Sequence, residues 1–402
     1  MGMGMHKVAR QEYPGSNAFE KRLKAFENKH EEYGLRLLAD AMRNKDMTPL
    51  GGLKRLSHFE NFIDSLNENG RYYFMAALQH GMRCAEIEDG NKIQRVTSIL
   101  TRQSLLTKDV ADFLNSHYGY FVDAFLDAGI ETGGAGALAT KNVISFAESL
   151  GKTAGTAYFN AFSWTRNVRS LTDPRLVNEE IAEYVKNIQE KHSYFGADYF
   201  YAVGKTGDVE ALTNKQFRGF VERLEHPDSF LAVMTDSKRL KRLTSREAMA
   251  FMEKLGMLSS VYINVLKETG NVNALTDPNL MTESVAVFMI SLGSGGSRSY
   301  LTAIAKEGRV GVLASRKVLN EDVTYAKSSA NATTYFMALI KSSADTVLTS
   351  KETIDVLLKL SDIDQADFLE QASRMNKGSI AALMAQFEKN DIAQFKDIRR
   401  VH

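Results

Sequence analysis

Apolar residues recur three and four positions apart along nearly the whole chain, and runs of two-residue alternation are scarce, so the pattern predicts α-helices and few or no strands. In the first long segment Phe19, Leu23, Phe26, Tyr33, Leu37 and Ala41 share one face of a helix expected from about 17 to 43. From about residue 57 the pattern repeats. YFMAALQHG from Tyr73, FVDAFLDAG from Phe121, YFYAVGKTG from Tyr199, YINVLKETG from Tyr262 and YLTAIAKEG from Tyr300 each open on an aromatic, place Ala or Val three positions on, and reach Gly eight positions on. Weaker copies start at Tyr158, Phe230, Tyr335 and Phe368, with Arg166, Lys238, Ser343 and Asn376 in the place of Gly. An aromatic at i, a small residue at i+3 and an aliphatic at i+4 make one packing face. Gly at i+8 supplies the left-handed residue that ends the helix.

A second landmark lies 13 residues after the aromatic, at Leu171, Leu212, Leu243, Leu275, Leu313 and Leu348. Thr follows in all but one case, at Thr172, Thr213, Thr244, Thr276 and Thr349, with Ala314 the exception. Leu-Thr before a new helical pattern reads as a hydrophobic-staple residue and an N-cap, so a new helix is expected to start there. The junctions from Leu171, Leu275 and Leu313 carry an insert that reads as one extra turn, followed by a second candidate cap at Asn178, Thr282 or Asn320. Pro174 and Pro278 sit where a first-turn proline is tolerated.

The predicted unit is helix A, a turn, helix B with the aromatic face, and a link to the next A, with a mean period of about 35 residues. One such pair cannot bury both faces, so the expected fold is all-α: a solenoid of about eight or nine pairs stacked into a superhelix. The domain reading is a tail over 1–16, a capping helix and linker over 17–56, the array over 57–378, and a C-terminal cap and tail over 379–402. The period is similar to that of tetratricopeptide, pentatricopeptide and HEAT-type repeats, but the tetratricopeptide Trp-Leu-Gly-Tyr and Pro signature is absent. The Leu-Thr opening is similar to that of transcription-activator-like DNA-binding repeats, yet these units vary in length and no paired base-reading loop recurs. No family is assigned.

Five prolines in 402 residues agree with a helical chain, since helix interiors exclude Pro. The single Cys84 can close no internal disulfide, no Cys/His set has zinc spacing, and no long apolar run or secretory leader is present. A cytoplasmic protein without cofactor or metal is expected; signal-independent export or virion packaging would leave no mark. The 50 basic and 49 acidic residues nearly cancel to +1, which argues against wholesale coating of nucleic acid and leaves room for a local basic patch.

That patch is the run Lys238, Arg239, Lys241, Arg242 and Arg246, read as the end of a B helix and the start of the next A. Such cations hold phosphates or an acidic partner, although cations near a helix C-terminus also complement its dipole. Gly293 to Arg298 form a Gly-Ser stretch whose amides and Arg298 suit an anion, but the stretch reads better as a turn between A and B. Gly133, Gly134 and Gly136 read as loop padding. Asp362, Asp364 and Asp367 fail the calcium-loop spacing and fit the turn and first turn of a B helix. Cys84 with His80 four residues back reads as structural, and Trp164 as a core residue. With no catalytic constellation apparent, the expected function is a non-enzymatic protein- or peptide-binding scaffold. The alternative is a nucleic-acid-binding helical repeat protein, conceivably an enzyme acting on DNA or RNA.

Overall fold

The computed structural model describes residues 49–77, 104–234, 237–319, 324–328, 330–342 and 345–375, together with 21–22, 24–25, 28–29, 379–380 and 382. All its regular structure among these residues is helical. The expected caps over 17–43 and 379–398 lie almost wholly outside the described residues, as do Cys84 and His80.

The chain divides into two compact units, 1–213 and 214–402. The first holds α1 (Pro49–Ser65), α2 (68–77), α3 (Lys108–Ser116), α4 (Tyr120–Thr132), α5 (Ala135–Leu138), α6 (Lys141–Ser149), α7 (Gly151–Thr165), α8 (Val168–Leu171), α9 (Glu179–Gln189), α10 (Phe195–Thr206) and α11 (Val209–Thr213). The second holds α12 (Lys215–Glu222), α13 (Pro227–Ala232), α14 (Ser237–Leu243), α15 (Arg246–Leu255), α16 (Ser259–Thr269), α17 (Val272–Leu275) and α18 (Glu283–Glu307). After these come α19 (Val310–Leu313), α20 (Arg316–Leu319), α21 (Thr324–Ser328), α22 (Ala332–Ser342), α23 (Asp345–Leu348), α24 (Lys351–Leu357) and α25 (Asp362–Arg374).

Within the first unit the aromatic helices α4, α7 and α10 pack side by side; within the second α16, α18, α22 and α25 do the same. Their rings form the cores. Phe113, Phe121, Phe125 and Phe159 meet at centroid separations of 5.1–6.1 Å, and Tyr158 stands edge-on to Phe162 at 5.1 Å and to Phe200 at 5.0 Å. Edge-on pairs of this kind add stabilisation beyond the area they bury.

The 13-residue spacing has a chemical cause. The hydroxyl of the aromatic helix's tyrosine donates to the carbonyl of the landmark leucine in five places: Tyr158 to Leu171 at 2.7 Å, Tyr199 to Leu212 at 3.2 Å, Tyr262 to Leu275 at 2.6 Å, Tyr300 to Leu313 at 3.2 Å and Tyr335 to Leu348 at 3.2 Å. Each bond is buried, so it is made without competition from water. Phe230 occupies the matching place before Leu243 and has no hydroxyl to give. Tyr262→Phe is expected to cost about 1–2 kcal/mol, seen as a fall of roughly 3 °C in the melting temperature of its unit. An unchanged melting curve would show that the hydroxyl contributes nothing.

Leu-Thr does not open the next helix. Each landmark leucine instead ends or nearly ends a short third helix (α8, α11, α14, α17, α19 and α23), and in four of these the Thr closes it. Thr172, Thr213, Thr244 and Thr276 donate their hydroxyls back to the carbonyls of Val168, Val209, Leu240 and Val272 at 2.7–2.9 Å. The N-cap comes later: Asn214, Ser245 and Ser350 one residue after the Thr, and Asn178 and Thr282 after the inserts, each accepting from the backbone N–H three residues on. Asn320 lies outside the described residues. The inserts at 173 and 277 are hydrogen-bonded turns, with Leu176 and Val177 donating to the Asp173 carbonyl and Leu280 and Met281 to that of Asp277. They bury Leu176 and Leu280.

Gly207, Gly270 and Gly308 end their helices in the left-handed conformation as expected, and Arg166 adopts it without being glycine. At the Phe121 copy the expectation is displaced: Gly129 lies inside α4, which runs one turn further to a left-handed Gly133. The link that follows contains the short helix α5 rather than padding.

Candidate anion-binding groove

The basic run does not straddle the B and A helices. Lys238, Arg239, Lys241 and Arg242 belong to α14, one of the short third helices, and Arg246 begins α15 behind the Ser245 cap. Their spacing of i, i+1, i+3 and i+4 brings all four onto one side, because residues three and four apart on a helix are neighbours. The opposite side carries Leu240 and Leu243, both fully buried, which fix how the helix is docked.

Those four cations form one wall of an open groove of about 620 Å³, and Gly270, Asn271, Val272 and Asn273 form the other. Among the described residues eight line the groove, and none of these is acidic or aromatic. One hydrogen bond and one close approach locate the guanidinium groups. Arg242 Nη1 donates to Thr276 Oγ1 at 3.5 Å. Arg239 Nη2 lies 3.4 Å from the point where a Cβ on Gly270 would stand, so the glycine that ends α16 at φ +66° also leaves that space open. Asn271 serves as scaffold: its Oδ1 accepts from the Ala274 N–H at 3.2 Å and its Nδ2 donates to the Ala305 carbonyl at 2.7 Å.

Two residues expected at the site stand elsewhere. Arg246 is exposed but does not line the groove. Arg298 lies on the second half of α18, where its guanidinium pairs with Glu268, a rim partner for a solvent-exposed cation. The Gly-Ser stretch before it is a kink: Gly293, at φ +71° and ψ −176°, breaks α18 between its two helical halves, and Ser297 is buried with its hydroxyl donating to the Met289 carbonyl at 2.7 Å. The stretch therefore acts as the expected turn between A and B. Asp362 and Asp364 lie in the first turn of α25, where Ser361 caps the helix by accepting from the Asp364 N–H.

Trp164 corrects the core expectation. It is 54% exposed at the end of α7, edge-on to Tyr201 at 6.3 Å, with Lys205 over the Tyr201 ring at 5.4 Å. The ring's place one residue from the helix end, past the last buried position Phe162, carries it out of the packed face.

Among the described residues no three His, Cys, Asp or Glu side chains come together as metal ligands, and no helix is long and apolar enough to cross a membrane. Comparison of the chain with family models, with curated proteins and with solved structures finds no match.

Proposed function

We propose that this chain is a non-enzymatic, cytoplasmic helical-repeat scaffold whose long-long-short helix triplets, spaced near 35 residues, stack as a superhelix and hold a partner protein through an anionic segment. The observation that carries the reading is the groove of α14, with four cations on one wall and no acid among its described lining residues. A surface of this sign attracts anionic segments during encounter and rejects cationic ones, giving partner choice without any chemical step. The recurring Tyr-to-Leu bonds support the repeat frame, since the same buried contact is remade at each spacing of 13 residues.

The test is binding of a fluorescein-labelled Asp/Glu-rich peptide, followed by anisotropy, to the full chain and to the variant Lys238→Glu, Arg239→Glu, Lys241→Glu, Arg242→Glu. The wild type is expected to bind and the reversed variant to lose at least about tenfold in affinity, ~1.4 kcal/mol, at unchanged helicity. Equal affinity of the two proteins, or tight binding of single-stranded or duplex nucleic acid with none of the peptide, would overturn the reading.

A further inference from the structure

We infer that the groove is a phosphomonoester site in which Arg239 and Arg242 clamp the phosphate of a phosphorylated segment in the partner. The inference rests on the groove being the partner-binding surface. Its first support is a local departure from the chain's own habit. The other short third helices read VRSL, VEALT, VNAL, VGVL and DTVL, with at most one charged residue each, whereas α14 reads SKRLKRL. Lys238 with Lys241, Lys238 with Arg242, and Arg239 with Arg242 are like charges at i,i+3 or i,i+4, and α14 contains no acid. Such a concentration of cations on one side of a short helix is the electrostatic footprint of an anion site.

The second support is the match of charge and shape. A phosphomonoester concentrates about 1.5 to 2 negative charges and three acceptor oxygens at one point, against one charge and two oxygens for a carboxylate. Two guanidinium groups three residues apart on a helix converge on such a point, and each offers a planar fork for two oxygens. Arg239 and Arg242 have that spacing; Arg242 is held by Thr276 just beyond the groove, and Arg239 reaches beside the bare Cα of Gly270. Lys238 and Lys241 are exposed beside them and add positive charge.

The third support is what the groove lacks and what it holds. Single-stranded nucleic acid binds through aromatic platforms on which bases stack, and none of the eight lining residues is aromatic. The groove's open space of about 620 Å³ is more than one phosphate fills, so residues flanking the phosphate enter with it.

The experiment uses three degenerate heptapeptide libraries with phosphoserine, serine or glutamate fixed at the centre. Each is measured against the full chain, against Arg239→Lys with Arg242→Lys, and against Lys238→Gln with Lys241→Gln. The phosphoserine library is expected to bind at least tenfold tighter than the serine library and severalfold tighter than the glutamate library. The double Arg→Lys variant keeps the charge, so its fold and general anion attraction persist, yet it is expected to lose about tenfold for phosphoserine alone. The Lys→Gln pair is expected to weaken both anionic libraries alike. Equal binding of the phosphoserine and glutamate libraries, or indifference to Arg→Lys, would overturn the phosphate clamp and leave an acidic-segment groove standing. Failure of all three libraries beside tight binding of a single-stranded RNA would overturn the underlying reading as well.

Discussion

Replacing Asn167 or Asn271 by Ala is expected to lower the stability of the unit that contains it by about 2–3 kcal/mol, the largest single-residue effect outside the aromatic core. Each asparagine does two things at once. Its Oδ1 accepts the N–H three residues on, Ser170 or Ala274, and so caps a four-residue helix that has almost no internal hydrogen bonds of its own. Its Nδ2 donates to a backbone carbonyl of the next aromatic helix in its unit, Gly204 at 2.8 Å or Ala305 at 2.7 Å. Losing the cap costs about 1 kcal/mol, and leaving a half-buried carbonyl without its donor costs a further ~1–2 kcal/mol. Asp separates the two parts, because it keeps the acceptor and lacks the donor. Asp208 already fills the matching position before α11 and caps it by accepting from the Ala211 N–H. Asn271→Asp should therefore still destabilise in urea denaturation followed by amide exchange over 259–307. A neutral Asn271→Asp would mean that the tie to Ala305 contributes nothing.

These asparagines also mark the limit of what could be read from the chain. The helical class, the aromatic faces and the leucines 13 residues on were all visible, because a buried ring and its backbone partner must keep a fixed spacing. The left-handed ends at Gly207, Gly270 and Gly308 were visible for the same reason, since few other residues take that conformation cheaply. The short third helix was not. A segment such as Val272–Leu275 is one turn long, shorter than the period that would reveal it, and its Thr looks identical as a cap or as a closing donor. Glycine alone also misled at Gly129, where nothing local distinguishes a helix end from a close approach within the helix.

The groove was half legible. Four cations at helical spacing announced one wall. The other wall, Gly270 to Asn273, comes from some 30 residues later and meets the first only because α14 and the α16 to α17 link fold against each other. Arg246 and Arg298 carried the same charge in the sequence, yet one follows a cap and the other is paired with Glu268. Charge patterning identifies cations and says little about which of them share a surface.

Raising the pH above about 10 is expected to unfold the chain steeply, because buried tyrosine hydroxyls must then ionise. Burial pushes Tyr158, Tyr262 and Tyr300 well above the ordinary tyrosine value, since an ionised phenolate would lose its water with no cation to replace it. A hydroxyl whose folded pKa is raised leaves stability intact below the unfolded value near 10; above it the unfolded chain releases the proton and the folded one does not, so stability falls as pH rises. Each such tyrosine removes about 1.4 kcal/mol per pH unit, and Tyr262 and Tyr300 both lie in the second unit. Tyr118 provides the contrast: it is exposed, and the hydrogen bond and charge of Lys152 hold its hydroxyl below the ordinary value, so it ionises early without opening the core. The titration is followed by circular dichroism together with tyrosinate absorbance, which should rise first without loss of helix and then in step with unfolding. The double variant Tyr262→Phe, Tyr300→Phe separates the two roles of the hydroxyl. It should be less stable at neutral pH, because two buried hydrogen bonds are gone, and yet lose stability less steeply above pH 10, because the second unit then has two fewer buried protons to surrender. A parallel pair of pH curves for wild type and variant would show that these tyrosines do not drive alkaline unfolding.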